Sequence, residues 1–293
     1  MNHESARPEQ GPGKELGEKF FAENVIDQGM GAYNEDALFI AGKRMGVFDG
    51  ATSLDGWKNG AGETGGFLAS RIAKDTAARA DEEASPREAL LSINERLVET
   101  MRQEGVDTSK KSNRWALTSA LIQVRERTFQ WAQIGDSTLL VLYKNGSHKI
   151  LGNDTDFDIE SLSMWEPLVQ QGVKNAFQHP VMREQIIKIR EQSNVTYGFL
   201  NGEKDAEKFI AHGEEPLQNV LAILLFTDGL TIPKTDPRTP NDLETIKNLY
   251  LEKGLRAVQE YVRDLENSDP DCRLYTRFKT HDDIAAIAVR SQE

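Results

Sequence analysis

The sequence predicts an α+β domain built on antiparallel strands, and three observations carry that prediction. ALFIA (37–41) and RMGVF (44–48) are apolar runs separated only by Gly42 and Lys43, which is hairpin spacing. WALTSALIQVR (115–125), RTFQWAQIG (127–135) and STLLVLYKNG (137–146) follow one another with one- or two-residue breaks. Only an antiparallel meander suits connections that short. Between these blocks lie two segments of helical spacing, 67–80 and 86–102.

The elements follow in order. MNHESARPEQGPGKELGEK (1–19) is polar and rich in Gly, Pro and Glu, so a mobile tail is expected before a domain at 20–293. NGAGETGG (59–66) is dense in glycine but lacks the Gly-Lys-Ser/Thr of a phosphate loop, so it reads as a flexible connection. In FLASRIAKDTAARA (67–80), Phe67, Leu68, Ile72 and Ala73 share a helical face. Ser85 caps the next helix, with Pro86 at its first position. Lys144-Asn145-Gly146 is a turn signal, and 148–151 returns as a strand. From about 153 to 215 the pattern becomes a helical insert: ESLSMWEPLVQQGV and PVMREQIIKIREQ read as amphipathic helices, VTYGFLNGE as a strand and turn. A segment of that kind between core strands often covers a site. NVLAILLFTDG (219–229) is a strand buried on both faces, helices are expected at 240–249 and 252–266, and DDIAAIAVR (282–290) is the last strand.

At 38% hydrophobic and 28% charged over 293 residues, the chain can bury a real core. Its net charge of −12 argues against nucleic acid as a partner, since a phosphate-backbone binder needs a basic face. Anionic substrates stay open, because a bound metal inverts the local field. The lone Cys272 rules out an internal disulfide and a thiolate zinc site. No stretch approaches the ~18 apolar residues of a membrane span, so no membrane partner and a cytoplasmic setting are expected.

Carboxylates recur in one local setting, at the ends of apolar strands. Glu35 and Asp36 precede ALFI; Asp49 follows GVF; Asp136 follows WAQIG; Asp228 follows LAILLFT; Asp282 and Asp283 precede IAAIAV. Singly, each is ordinary turn chemistry. Together they lack a matching supply of Lys or Arg in the same motifs, and acids desolvated at strand ends need cations or hydrogen bonds. An all-oxygen ligand set indicates hard divalent ions, Mn²⁺ or Mg²⁺.

The order YNEDALF (33–39), GVFDGA (46–51), TSALIQV (118–124), AQIGDSTLLVLYKNG (132–146), LFTDGLT (225–231) and HDDIAAIAV (281–289) resembles the metal-dependent Ser/Thr protein phosphatases of type 2C. The resemblance implies a four-layer α-β-β-α sandwich, two packed antiparallel sheets flanked by helices, with metals in a channel at one end. It implies Asp49 as the bridge between two metals and the Gly50 carbonyl as a ligand of the second. Asp228 and Asp282 would hold the first metal, and Glu35 would reach the second. Asp36 would orient a bridging hydroxide. Asp136 matches a position for a third, weaker metal, which Asp154 is a candidate to join. Asp283, at a position where the family often has Asn, would stand behind the ligands rather than on a metal.

Two departures stand out. Ala51-Thr52-Ser53 occupies the place of the family's His-Gly-Gly, whose His is thought to protonate the leaving group. The arginine that usually precedes the Glu-Asp pair is absent, since no Arg occurs between Arg7 and Arg44. Lys43, Lys58 and Arg114 are the candidate substitutes for holding phosphate. The expected activity is hydrolysis of phosphorylated proteins, phosphoserine or phosphothreonine favoured, with no covalent intermediate. The alternative is a pseudophosphatase that binds a phosphoprotein or another partner without turnover. Of the five histidines, none has metal-ligand spacing; His281 beside Asp282 is a candidate donor to a ligand carboxylate, and His179 a candidate replacement acid.

Overall fold

Strand pairing follows the apolar runs and sorts them into two sheets. The computed structural model describes residues 14–15, 20–51, 54–153 and 157–291. The first sheet contains β1 (Lys14–Glu15), β2 (Phe20–Asp27), β7 (Thr138–Tyr143), β8 (His148–Leu151), β10 (Val220–Phe226) and β11 (Ile284–Ser291), in the order β1-β2-β11-β10-β7-β8. The second contains β3 (Asp36–Ala41), β4 (Arg44–Ala51), β5 (Ala116–Val124), β6 (Thr128–Ile134) and β9 (Ala211–Pro216), in the order β3-β4-β5-β6-β9. Every pairing between these strands is antiparallel.

The sheets pack face to face through Val47, Ala120, Ile122, Val141, Ile223 and Ile287. Helices α1 (Gly65–Arg79) and α2 (Pro86–Gln103) cover the outer face of the second sheet, burying Ala69, Ala73, Leu90, Ile93 and Leu97 against Trp115 and Leu117. Helices α5 (Leu243–Lys253) and α6 (Leu255–Ser268) cover the first sheet, with Ile246, Val258 and Val262 against Leu140, Leu224 and Phe226. The result is the expected α-β-β-α sandwich. Because both faces of the central strands are covered, β5 is buried at all nine positions, Thr118, Ser119 and Gln123 included, despite antiparallel pairing. Ser85 and Glu88 form a reciprocal capping box at the start of α2.

The expected three-stranded meander is corrected. β5 and β6 form a hairpin, but the chain then crosses to the other sheet, where β7 pairs with β10 and β8. Gly135 makes the crossing with φ +82°, and a Cβ there would strike Thr118. VTYGFLNGE contributes isolated bridges, Leu117 to Leu200 and Ser193 to Tyr197, rather than a strand. Three strands escaped the sequence reading: the two-residue β1, which falls within 1–19, β2, and the charged edge strand β9, whose residues alternate between half-buried and exposed. The helical part of the insert therefore stops before Ala211. Its helices α3 (Ile159–Gln170) and α4 (Pro180–Gln192) share a small core of Trp165, Val169, Ala176 and Met182 with Cys272. Trp165 Nε1 donates to the Arg277 carbonyl at 2.9 Å, tying the insert to the loop that leads into β11. Among the described residues, no helix is long and apolar enough to cross a membrane.

Candidate active site

Strand register brings the first acids together. Asp36 opens β3 and stands directly opposite Asp49 on β4, which in turn stands opposite Thr118 on β5. Thr118 and Ser137 share a hydrogen bond of 2.8 Å, placing the β6–β7 crossing and Asp136 beside the same strand ends. Asp228 begins a short 3₁₀ turn after β10, and Asp282 precedes β11, the neighbour of β10. Glu35, Asp36, Asp49, Gly50, Asp136, Asp228, Asp282 and Asp283 all border one cavity of ≈ 940 Å³ at this end of the sandwich.

The backbone around these acids is tightly built. Gly50 N–H donates to the Glu35 carbonyl at 3.1 Å, and a Cβ on Gly50 would run into the Gly66 carbonyl oxygen. Glycine is the only residue that fits there. Thr64, the N-cap of α1, donates its hydroxyl to Glu35 Oε1. Arg71 on α1 donates to the carbonyls of Asp36 (2.8 Å) and Asn34 (3.2 Å). Asp283 is buried and accepts from Gly29 N–H and Glu35 N–H, each at 2.7 Å, so it clamps the segment that carries Glu35 and Asp36.

Burial pushes the Asp49 carboxyl well above the usual range, and repulsion from Asp228, Asp36, Asp136 and Asp282 adds to it. Asp228 is raised for the same reasons, burial first and then Asp282, Asp136 and Asp36. Asp36 is raised chiefly by burial, which the nearby Thr227 hydroxyl opposes and the Asp283 and Asp282 charges reinforce, and its Oδ2 is buried with no hydrogen bond of ordinary geometry. Asp282 goes the other way: burial would raise it, but the Lys279 ammonium at 2.7 Å outweighs that and holds it low. Both members of that pair keep about 40% of their side chains exposed, so solvent screens the bridge and it can open.

These properties fit a hard divalent cation in donor chemistry: oxygen-only groups, repelling one another, one with an orphaned buried oxygen. Among the described residues no three of the acids stand close enough to form a ready-made ligand set. Asp154 lies outside the described residues.

Of the candidate cations, only Lys58 borders the cavity. Lys43 is exposed in the β3–β4 turn, at the far end of both strands from Asp36 and Asp49. Arg114 donates to the Asn201 carbonyl at 3.0 Å, away from the cavity lining. His281 bonds Asn267 (3.0 Å) rather than a carboxylate, and neither it nor His179 borders the cavity. Among the lining cations that the sequence reading missed is Arg190, in the last turn of α4. Its guanidinium lies 5.5 Å from the centre of the Phe199 ring. Burial lowers its pKa, opposed by the charges of Tyr197, Asp158, Asp49 and Glu35. No local motif marks Arg190; its only signal was a place in a helix expected to cover the site.

A model of the family described as protein phosphatase 2C matches residues 28–275. No curated protein matches the chain by sequence. Among solved structures, the Mycobacterium tuberculosis serine/threonine phosphatase PstP/Ppp aligns with a TM-score of 0.58 at 17% identity, over 94% of this chain and 100% of that one. The catalytic domain of PstP in complex with two manganese ions aligns at 0.56 and 16%, over 94% and 99%. Stp1 from Staphylococcus aureus aligns at 0.57 and 18%, over 97% and 99%. At such identities these likenesses speak for the fold.

Proposed function

Because the chain belongs to the protein phosphatase 2C family, we propose that it hydrolyses phosphoserine and phosphothreonine in proteins, using Mn²⁺ or Mg²⁺ held by the strand-end acids. The observation that carries this reading is the meeting of Glu35, Asp36, Asp49, Asp136, Asp228 and Asp282 on one cavity. Asp49, Asp228 and Asp282 would hold one ion; Asp49, the Gly50 carbonyl and Glu35 a second; Asp136 a weaker third. Bound there, such ions supply Lewis acidity to phosphoryl oxygens and lower the pKa of water towards ~7.

The chain's own groups do the positioning. Asp36 Oδ2, buried and without a hydrogen bond, accepts one from the attacking water and aims it along the line of displacement. Asp283 fixes Asp36 and Glu35 through the two amides it holds. Arg190, seated over Phe199, takes the phosphoryl oxygens in place of the arginine absent before Glu35, and Lys58 adds charge to the same cavity. With Ala51 where the family has its acid, substrates whose leaving groups need little protonation should react best; losing a general acid typically costs roughly 10²–10⁴-fold.

The test is Mn²⁺-dependent hydrolysis of p-nitrophenyl phosphate and a phosphothreonine peptide by the wild type, D49N and D228N. Loss of turnover in both variants is expected. Equal rates in all three proteins would refute the reading.

A further inference from the structure

The cavity separates its charges. The metal-ligand candidates lie at strand ends, whereas the lining cations come from α4 and from loops elsewhere in the chain. Among the described residues, Lys58, Lys174, Arg183, Arg190 and Arg273 all border the cavity, and none forms an ion pair with a carboxylate. In a chain of net charge −12, five unpaired cations around one opening are not a general surface property. Asp158 and Asp271 also border the cavity, and the Asp158 charge acts on Arg190. The other two lining cations differ in being engaged: Arg277 pairs with Asp269 at 3.5 Å and Lys279 with Asp282 at 2.7 Å.

Helix α4 orders two of the five. Arg183, Ile186 and Arg190 follow the i, i+3, i+7 spacing of a single helical face, and all three border the cavity. Arg190 is partly buried and near Asp49 and Glu35, while Arg183 is exposed. Seven residues at 1.5 Å each separate the two arginines by about 10 Å along the helix. An extended peptide covers that distance in about three residues.

Resting on the phosphatase reading above, we infer that the preferred substrate segment carries a second anionic side chain about three residues from the scissile phosphate, held by Arg183 while Arg190 holds the phosphate. The partner is thus an acidic phosphopeptide rather than a neutral or basic one. A glutamate and a second phosphorylated residue share the required chemistry, and the phosphate, with more charge and more acceptor oxygens, should bind more tightly.

The experiment measures binding by fluorescence anisotropy in Mn²⁺, with labelled peptides carrying a non-hydrolysable phosphonate analogue of phosphoserine. Ala, Glu or phosphoserine is placed three residues before or after the analogue. Wild type should bind the better Glu peptide roughly five-fold more tightly than its Ala counterpart, as befits a partly exposed ion pair. Phosphoserine should exceed Glu, and R183A should bring the Glu and Ala peptides together, with R183K restoring part of the difference. Equal affinities for Ala and Glu peptides in wild type, or a preference that survives R183A, overturns the inference. Hydrolysis of the matching phosphoserine peptides is followed in parallel. If none is hydrolysed, the phosphatase reading fails, and the binding ratio still decides whether Arg183 reads an anion.

Discussion

Asp283→Ala should cost this protein about 2–4 kcal/mol, and the magnitude follows from its surroundings. The carboxylate is 7% exposed and accepts two backbone N–H groups at 2.7 Å, from Gly29 and Glu35. Hydrogen bonds to charged groups contribute about 1.5–3 kcal/mol each, so losing both removes roughly 3–6 kcal/mol. Part of that is returned, because burying the charge is itself unfavourable: burial raises the Asp283 pKa, and the two amide bonds and Lys279 oppose it without cancelling it. The same shift fixes a sign. A carboxyl whose folded-state pKa lies above its unfolded value binds its proton more tightly when folded, so its ionisation lowers stability as pH rises through that window. Asp283→Asn should remove this part of the pH slope while keeping one acceptor, and should cost less than the alanine. Urea unfolding from pH 4 to 8 reads both effects as a shift in midpoint at constant slope. A D283A stability within about 0.5 kcal/mol of wild type would refute the claim that this carboxylate clamps the Glu35–Asp36 segment.

Other outcomes follow from the same geometry. In the presence of a chelator at pH 7, D228N should melt higher than wild type, since burial and the neighbouring acids raise Asp228 and its charge opposes folding above the ordinary carboxylate range; a lower melting temperature would contradict this. R190M should lower kcat/KM for p-nitrophenyl phosphate by about 10–100-fold, in line with one charge-assisted hydrogen-bonding group of about 1.5–3 kcal/mol, with R190K in between; an unchanged value would remove Arg190 from phosphate binding. Trp165 is 1% exposed in the small core it shares with Cys272, so W165A should cost about 3–5 kcal/mol locally and open the insert. Thiol labelling of Cys272 should then accelerate well before global unfolding, and protection equal to wild type would show that the insert does not depend on this core.

Local pattern carried a large part of the molecule. The β3–β4 hairpin, helices α1 and α2 and the final strand lie where apolar spacing, Ser85 and Pro86 put them, because those signals act over a few residues. The acids were recognisable for a similar reason: a carboxylate beside a continuous apolar run is unusual wherever the run packs. β2 and β9 were missed because a half-buried strand near a sheet edge, interrupted by charges such as Glu214 and Glu215, leaves only a weak period-two signal.

By itself, then, the sequence determined the helices and the strongly apolar strands, the strand-end acids and the family likeness that joins them. Tertiary structure alone decided that β7 leaves β6 for the opposite sheet, that Asp36 faces Asp49 across a ladder, and that Lys43 and Arg114 stay away from the cavity. It also brought Arg190 to acids more than a hundred positions earlier in the chain. Hydrophobic periodicity records that a residue is buried but not against which partner. Partners are set by the packing of whole layers, so an arginine on an ordinary amphipathic helix becomes part of a site only once the insert has docked.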